Sequence, residues 1–148
     1  MTQVYQNHGV RFVYPDDWTI AEEAGDGAVS LTVSSPETSF WSMWLLSDRP
    51  DPPTMLASAI DVFEDEYDNV DLYRTEGEIC EYPALNCDVE FVSMELINSA
   101  FVRAFRTGRF SVLILFQGTD HELKQTRAEL DAITDSLVCD LGDDLLLG

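Results

Sequence analysis

Gly9-Val10-Arg11-Phe12-Val13-Tyr14-Pro15-Asp16-Asp17-Trp18 is the stretch whose reading decides the fold. Val10, Phe12 and Tyr14 alternate with Arg11 and Val13, the period of a half-buried strand. Proline has no N–H to give to a ladder, so the strand stops or meets a sheet edge at Pro15. Asp16 and Asp17 are turn formers, and Trp18 is a large apolar anchor just beyond them. The stretch speaks of architecture and not of a reaction.

Working outward, Trp18 to Glu22 reads as a second strand, followed by the turn signal Gly25-Asp26-Gly27. Ala28 to Ser34 places Val29, Leu31 and Val33 on one side of a third strand. Phe40 to Ser47 is a fourth, rich in aromatics, and these four strands read as an antiparallel meander. The prolines of Asp48-Arg49-Pro50-Asp51-Pro52-Pro53 suit a helix entry. Leu56, Ile60, Phe63 and Tyr67 then recur as one stripe of an amphipathic helix, with Asp61, Glu64, Asp65 and Asp68 on another face. That acidic stripe reads as a solvated face.

Glu76 to Tyr82 and Leu85 to Val92 read as a hairpin about Pro83-Ala84, which would set Cys80 opposite Cys87. Packed, reduced thiols are the simpler reading of those two; a strained cross-strand disulfide is the other. Ser99 to Arg106 and Arg109 to Gln117 form a second hairpin across Thr107-Gly108, pairing Phe105 with Phe110, Arg103 with Val112 and Phe101 with Ile114. The run Phe110 to Phe116 is apolar on both faces and is expected at the centre of the sheet. Thr119-x-x-Glu122 is a capping box, opening a final helix with Leu123, Leu130, Ile133 and Leu137 as its core stripe.

Composition bounds the rest. A chain of 148 residues is expected to be one domain, placed here at residues 1–139, with an acidic, apolar-ended tail at 140–148. Asp and Glu number 28 against 8 Lys and Arg, a formal charge of −20, and Lys124 is the single lysine. Such a surface repels phosphate backbones and anionic lipid, so neither nucleic acid nor membrane is an expected partner. The acidity itself reads first as a solubility surface or an adaptation to salt. No basic and apolar leader opens the sequence, and the expected location is the cytoplasm. The odd cysteine count argues against a disulfide framework.

Catalytic signals are sparse. His121-Glu122 begins like a zincin helix but lacks the second histidine, and no nucleophile elbow or phosphate-binding glycine loop occurs. Carboxylates are too numerous for any pair to be informative. No cofactor or metal is expected, and the chain is read as a non-enzyme. Two surface constellations remain. Arg103, Arg106 and Arg109 place three of the eight basic residues on one hairpin, suited to a partner's carboxylate or to the chain's own, such as Asp88 or Glu90. Trp41 and Trp44 lie on opposite faces of the aromatic strand, so one of them can be exposed or line a groove.

Phe12-x-Tyr14-Pro15-x-x-Trp18, the Tyr82-Pro83-Ala84 hairpin and the closing Ile133-Thr134-Asp135-Ser136-Leu137 together resemble the Mog1/PsbP-like family, in particular its small bacterial DcrB-like members. The resemblance spans about residues 5–139. It implies an α+β fold: an antiparallel sheet of seven or eight strands with two main helices packed on it, an α/β/α sandwich. It also implies a non-catalytic binding role and supplies no catalytic residues to carry over. The expectation is therefore a protein-binding module, an adaptor or chaperone, that uses an aromatic sheet face and the arginine hairpin on a protein partner of unspecified identity. Two other readings stand beside it: an acidic chaperone of the type III secretion kind, and a carboxylate-based enzyme. Oligomeric state is open, since an edge strand or Leu145-Leu146-Leu147 could pair two copies.

Overall fold

The computed structural model describes residues 1–140, in which strands β1 (Thr2–Asn7), β2 (Val10–Pro15), β3 (Thr19–Gly25), β4 (Ala28–Ser34) and β5 (Phe40–Leu46) precede helix α1 (Pro52–Glu66). Strands β6 (Val70–Ile79), β7 (Tyr82–Ser93), β8 (Leu96–Arg106) and β9 (Ser111–Thr119) then lead to α2 (Asp120–Ser136). The main sheet has seven strands in the order β3-β4-β5-β9-β8-β7-β6, every neighbouring pair antiparallel. The doubly apolar run does lie at its centre, as β9. Covered on both faces, that strand needs no polar side.

Strand alternation divides the core into two layers. On one face Leu31, Val33, Trp41, Met43, Val112, Ile114 and Phe116 pack against Leu130 and Ile133 of α2. On the other, Met55, Leu56, Ile60 and Phe63 of α1 pack on Cys87, Val89, Phe91, Ala100 and Val102. Each such buried side chain contributes about 1.5–3 kcal/mol relative to leaving it in water. Trp18 is buried, as an anchor past the first turn should be.

Each helix starts where a side chain can satisfy its free N–H groups. Asp51 accepts from Thr54 N, and Pro52-Pro53 fills the first turn, where no N–H is needed. Thr119 caps α2 by accepting from Glu122 N. The reciprocal half of the capping box does not form. The Glu122 carboxylate turns away to the loop before β5 and accepts from Thr38 N (3.1 Å), Ser39 N (2.8 Å), Ser39 Oγ (2.7 Å) and Thr38 Oγ1. Burial opposes its ionisation, but these donors outweigh burial and hold the carboxyl below its ordinary range.

The structure corrects several sequence expectations. The strand Val10–Pro15 is not part of the main sheet. It pairs with β1, which the sequence reading did not include, and this two-stranded hairpin packs beside α2 through Val13 N to Ser136 Oγ and a bridge between Arg11 and Val138. Its turn, His8-Gly9, has both residues at positive φ, the primed geometry that matches strand twist. The β6–β7 turn is Cys80-Glu81 and not Pro83-Ala84; Pro83 sits within β7 opposite Glu78 of the edge strand. Cys87 therefore faces Arg74, far along the ladder from Cys80, and the cross-strand disulfide is excluded.

The β8–β9 connection is the four-residue loop Thr107–Phe110, so Phe105 faces Val112, Arg103 faces Ile114 and Phe101 faces Phe116. The Thr107 hydroxyl explains that register, because it accepts from both Arg109 N and Phe110 N inside the loop. The tail expected at 140–148 lies, beyond Asp140, outside the described residues.

Candidate functional site

The aromatic strand separates its two tryptophans as alternation requires, with unequal exposure. Trp41 has no exposed surface; it tilts against Phe12 at 4.9 Å between ring centroids, and its indole Nε1 donates to Thr134 Oγ1 at 2.9 Å. It is a core residue joining β2, β5 and α2, and its place as a partner contact is corrected. Trp44, on the α1 side between Ser30 and Leu113, is half-buried. α1 packs chiefly over β7, β8 and β9, so this end of the face is only partly covered.

The three hairpin arginines do not converge. Arg103 is largely buried, donates to Asp88 Oδ1 at 2.7 Å and lies near the rings of Phe101 and Phe116. It is held by the chain's own carboxylate. Arg106, which is exposed, donates to the Arg49 carbonyl at 3.2 Å. Arg49 donates in turn to Thr107 O from Nε (3.1 Å) and Nη2 (2.9 Å). Arg109 lies against the β1–β2 turn, its Nη1 filling the space where a Cβ on Gly9 would stand. Arg49, Arg106 and Arg109 thus surround one end of the sheet, and none makes an ion pair among the described residues.

The opposite end holds a feature absent from the sequence reading. β6 joins β7 no farther than Val70 opposite Phe91, and β9 joins β8 no farther than Thr119 opposite Asn98. Beyond these points β7 and β8 pair only with each other, through Val92–Ile97 and Ser93–Leu96, around the turn Met94-Glu95. Both turn residues have positive φ. This projecting tip is apolar: Met94 is 91% exposed, Val92 60%, Leu96 54% and Ile97 48%.

At the base of the tip, a recess of about 340 Å³ is lined by Glu66, Tyr67, Asp68, Asn69 and Val92. Tyr67 stacks on Phe91 at 4.2 Å, which fixes one wall. Two carboxylates beside an aromatic ring and an apolar finger form a surface suited to a cation on an apolar partner. The signal in the sequence was the run Val92-Ser-Met-Glu-Leu-Ile97, apolar on both strand faces yet without the glycine or proline of a connecting loop.

A second recess, about 390 Å³, opens between the start of α1 and the β6–β7 ladder and holds Arg74, Glu76 and Asn86. Asn86 Oδ1 is buried there without a hydrogen-bond partner among the described residues. No group of three or more metal-ligating side chains occurs among the described residues, and no described helix is long and apolar enough to cross a membrane.

This architecture is shared with solved structures. The cyanobacterial PsbP of Synechocystis sp. PCC 6803 superposes with a TM-score of 0.68 at 10% identity, over 93% of this chain and 92% of that one. LpqN of Mycobacterium tuberculosis, described as involved in cell envelope biogenesis, gives 0.57 at 11% identity over 95% and 91%. PA94 of Pseudomonas aeruginosa, described as a putative regulator of unknown function, gives 0.56 at 14% identity over 93% and 96%. No protein-family model and no curated protein matches the chain. At these identities the likeness establishes the fold, and the chain has the Mog1/PsbP-like fold.

Proposed function

We propose that this chain is a non-catalytic protein-binding module whose principal contact is the tip of the β7–β8 hairpin. The observation that carries the reading is the set Val92, Met94, Leu96 and Ile97, held out beyond both neighbouring strands with about half or more of each side chain in water. Exposed apolar clusters of this kind mark interaction sites, and methionine adapts to varied partner surfaces.

The partner is a protein with an apolar groove bordered by Lys or Arg. The acidic recess at the base of the tip, with Glu66 and Asp68, favours a cation there. The formal charge of −20 on each chain opposes a second copy as the occupant. Trp44 is a candidate secondary contact on the sheet face. Arg106 stands at the other end of β8, roughly 30 Å from the tip at strand rise, and is outside the same footprint.

Photo-crosslinking from position 94 tests this. With p-benzoylphenylalanine at 94, and at exposed Asp16 as the control, expression in native cells is expected to give a position-94 adduct with a partner that carries a basic-rimmed apolar groove. Adducts only with a second copy, equal adducts from both positions, or none from position 94 would overturn the assignment.

A further inference from the structure

Cys80 and Cys139 are 59 residues apart in sequence, yet their Sγ atoms lie 3.4 Å apart, both as free thiols. We infer that Cys80 and Cys139 form a reversible dithiol–disulfide switch that fastens the segment leaving α2 to the β6–β7 turn.

Three features prepare the pair. Cys80 and Glu81 occupy the two central positions of the turn, at φ of 53° and 70°. Such positions favour Asn and Gly, and a cysteine held there is directed by the turn itself and not by a flexible strand. On the other side, Leu137 to Cys139 are anchored before any bond forms. Val138 exchanges two backbone hydrogen bonds with Arg11, and Leu137 O accepts from Cys80 Sγ. Next to them, the Tyr82 hydroxyl donates to Asp140. Closing the remaining gap to a bonded distance of about 2.05 Å therefore needs a shift of side chains and not of elements.

The chemistry follows from the unequal settings of the two sulfurs. The Cys139 S–H donates to Cys80, which lowers the Cys80 thiol and raises that of Cys139. Burial weakens the Cys80 effect, and Asp140 and Glu81 oppose it. Cys80 is thus the nucleophile. Its thiolate attacks one sulfur of a small disulfide, forming a mixed disulfide and expelling one thiolate. Cys139 then loses its proton, and its sulfur attacks Cys80 Sγ, expelling the second. The protein loses two S–H hydrogens and gains one S–S bond, and the small disulfide is reduced to two thiols. Anionic oxidants are disfavoured by Glu81 and Asp140, so a neutral disulfide is the fitting co-reactant. Cys87, fully buried on the α1 face with its thiol pushed up by burial, takes no part.

Incubating the intact chain with 2-hydroxyethyl disulfide tests the switch. Thiol titration in denaturant is expected to fall from three to one per chain. Non-reducing peptide mapping should show Cys80 linked to Cys139. The Tm should rise by roughly 5–10 °C, as expected for a bond closing a loop of this length, and return with dithiothreitol. Cys87→Ser should form the same Cys80–Cys139 link, its thiols falling from two to none, while Cys139→Ser should stop at a mixed disulfide on Cys80. Three surviving thiols, linkage through Cys87, bonds between chains, or stable mixed disulfides in the parent would each overturn the inference.

Discussion

Glu122 and Ser39, one opening α2 and the other preceding β5, are joined by two hydrogen bonds of 2.8 and 2.7 Å to the same carboxylate oxygen. This contact fixes the start of α2 against the loop that feeds the aromatic strand. Glu122→Gln removes the charge that five donors of Ser35, Thr38 and Ser39 address, and is expected to cost about 1–3 kcal/mol in denaturant unfolding. The folded carboxyl titrates below its unfolded value of about 4.3. The stabilisation is therefore full above that pH and is lost as pH falls through the lower folded value. The difference between parent and variant should be constant from pH 7 to 5 and shrink below about pH 4. A difference that grows on acidification would contradict it.

Trp41 and Trp44 should separate in unfolding experiments. Trp41→Ala opens a cavity beneath α2 and removes the indole donor to the Thr134 hydroxyl, which keeps its own bond to the Leu130 carbonyl, for an expected loss of about 3–5 kcal/mol. Trp44→Ala, at a half-buried position, should cost about 1 kcal/mol. Equal losses would contradict the assignment of Trp41 to the core and Trp44 to the partly open face.

Arg103 and Asp88 form an ion pair whose arginine side is 14% exposed and whose carboxylate is 39% exposed. A double-mutant cycle with Arg103→Met and Asp88→Asn should give a coupling of about 1 kcal/mol, because the exposed partner limits the gain. The coupling should survive 1 M NaCl in part, since the guanidinium is largely buried beside the stacked rings of Phe101 and Phe116. A coupling near zero would return Arg103 to the pool of arginines free for a partner.

Gly9→Ala tests the hairpin that the opening stretch encodes. At φ of +85° an alanine is strained, and its Cβ would meet Arg109 Nη1 at 2.7 Å. A loss of roughly 1–2 kcal/mol is expected, part of it recovered in the Arg109→Ala background, where only the backbone strain remains. No recovery would mean that Arg109 yields at no cost.

Much of the fold was legible because period and burial agree. Of the two predicted stripes, Leu56, Ile60 and Phe63 of α1 and Leu130 and Ile133 of α2 are buried, as is Leu137 just past the end of α2, while Tyr67 and Leu123 are half-buried; the doubly apolar run before Gly118 lies at the centre of the sheet. Turns were less legible, because Cys80-Glu81 and Met94-Glu95 adopt positive φ with residues that carry no turn signature, whereas Pro83-Ala84 looks like a turn and lies in a strand. β1 escaped for a related reason: Thr2 to Asn7 is mostly exposed and lacks a clear apolar face. For the site, sequence alternation put the two tryptophans on opposite faces, but helix coverage decides which is exposed. The apolar tip was hidden because its exposure depends on where β6 and β9 end.

The Met94-Glu95 turn offers the most direct test of the central claim, because stability and binding should move in opposite directions there. Met94→Asn with Glu95→Gly supplies the residues that positive φ favours, and should stabilise the fold by about 0.5–1 kcal/mol. It also removes the most exposed apolar side chain of the tip. Measured against the partner identified by crosslinking, the double variant is predicted to bind at least tenfold more weakly while unfolding at higher denaturant. Undiminished binding by this more stable protein would contradict the account.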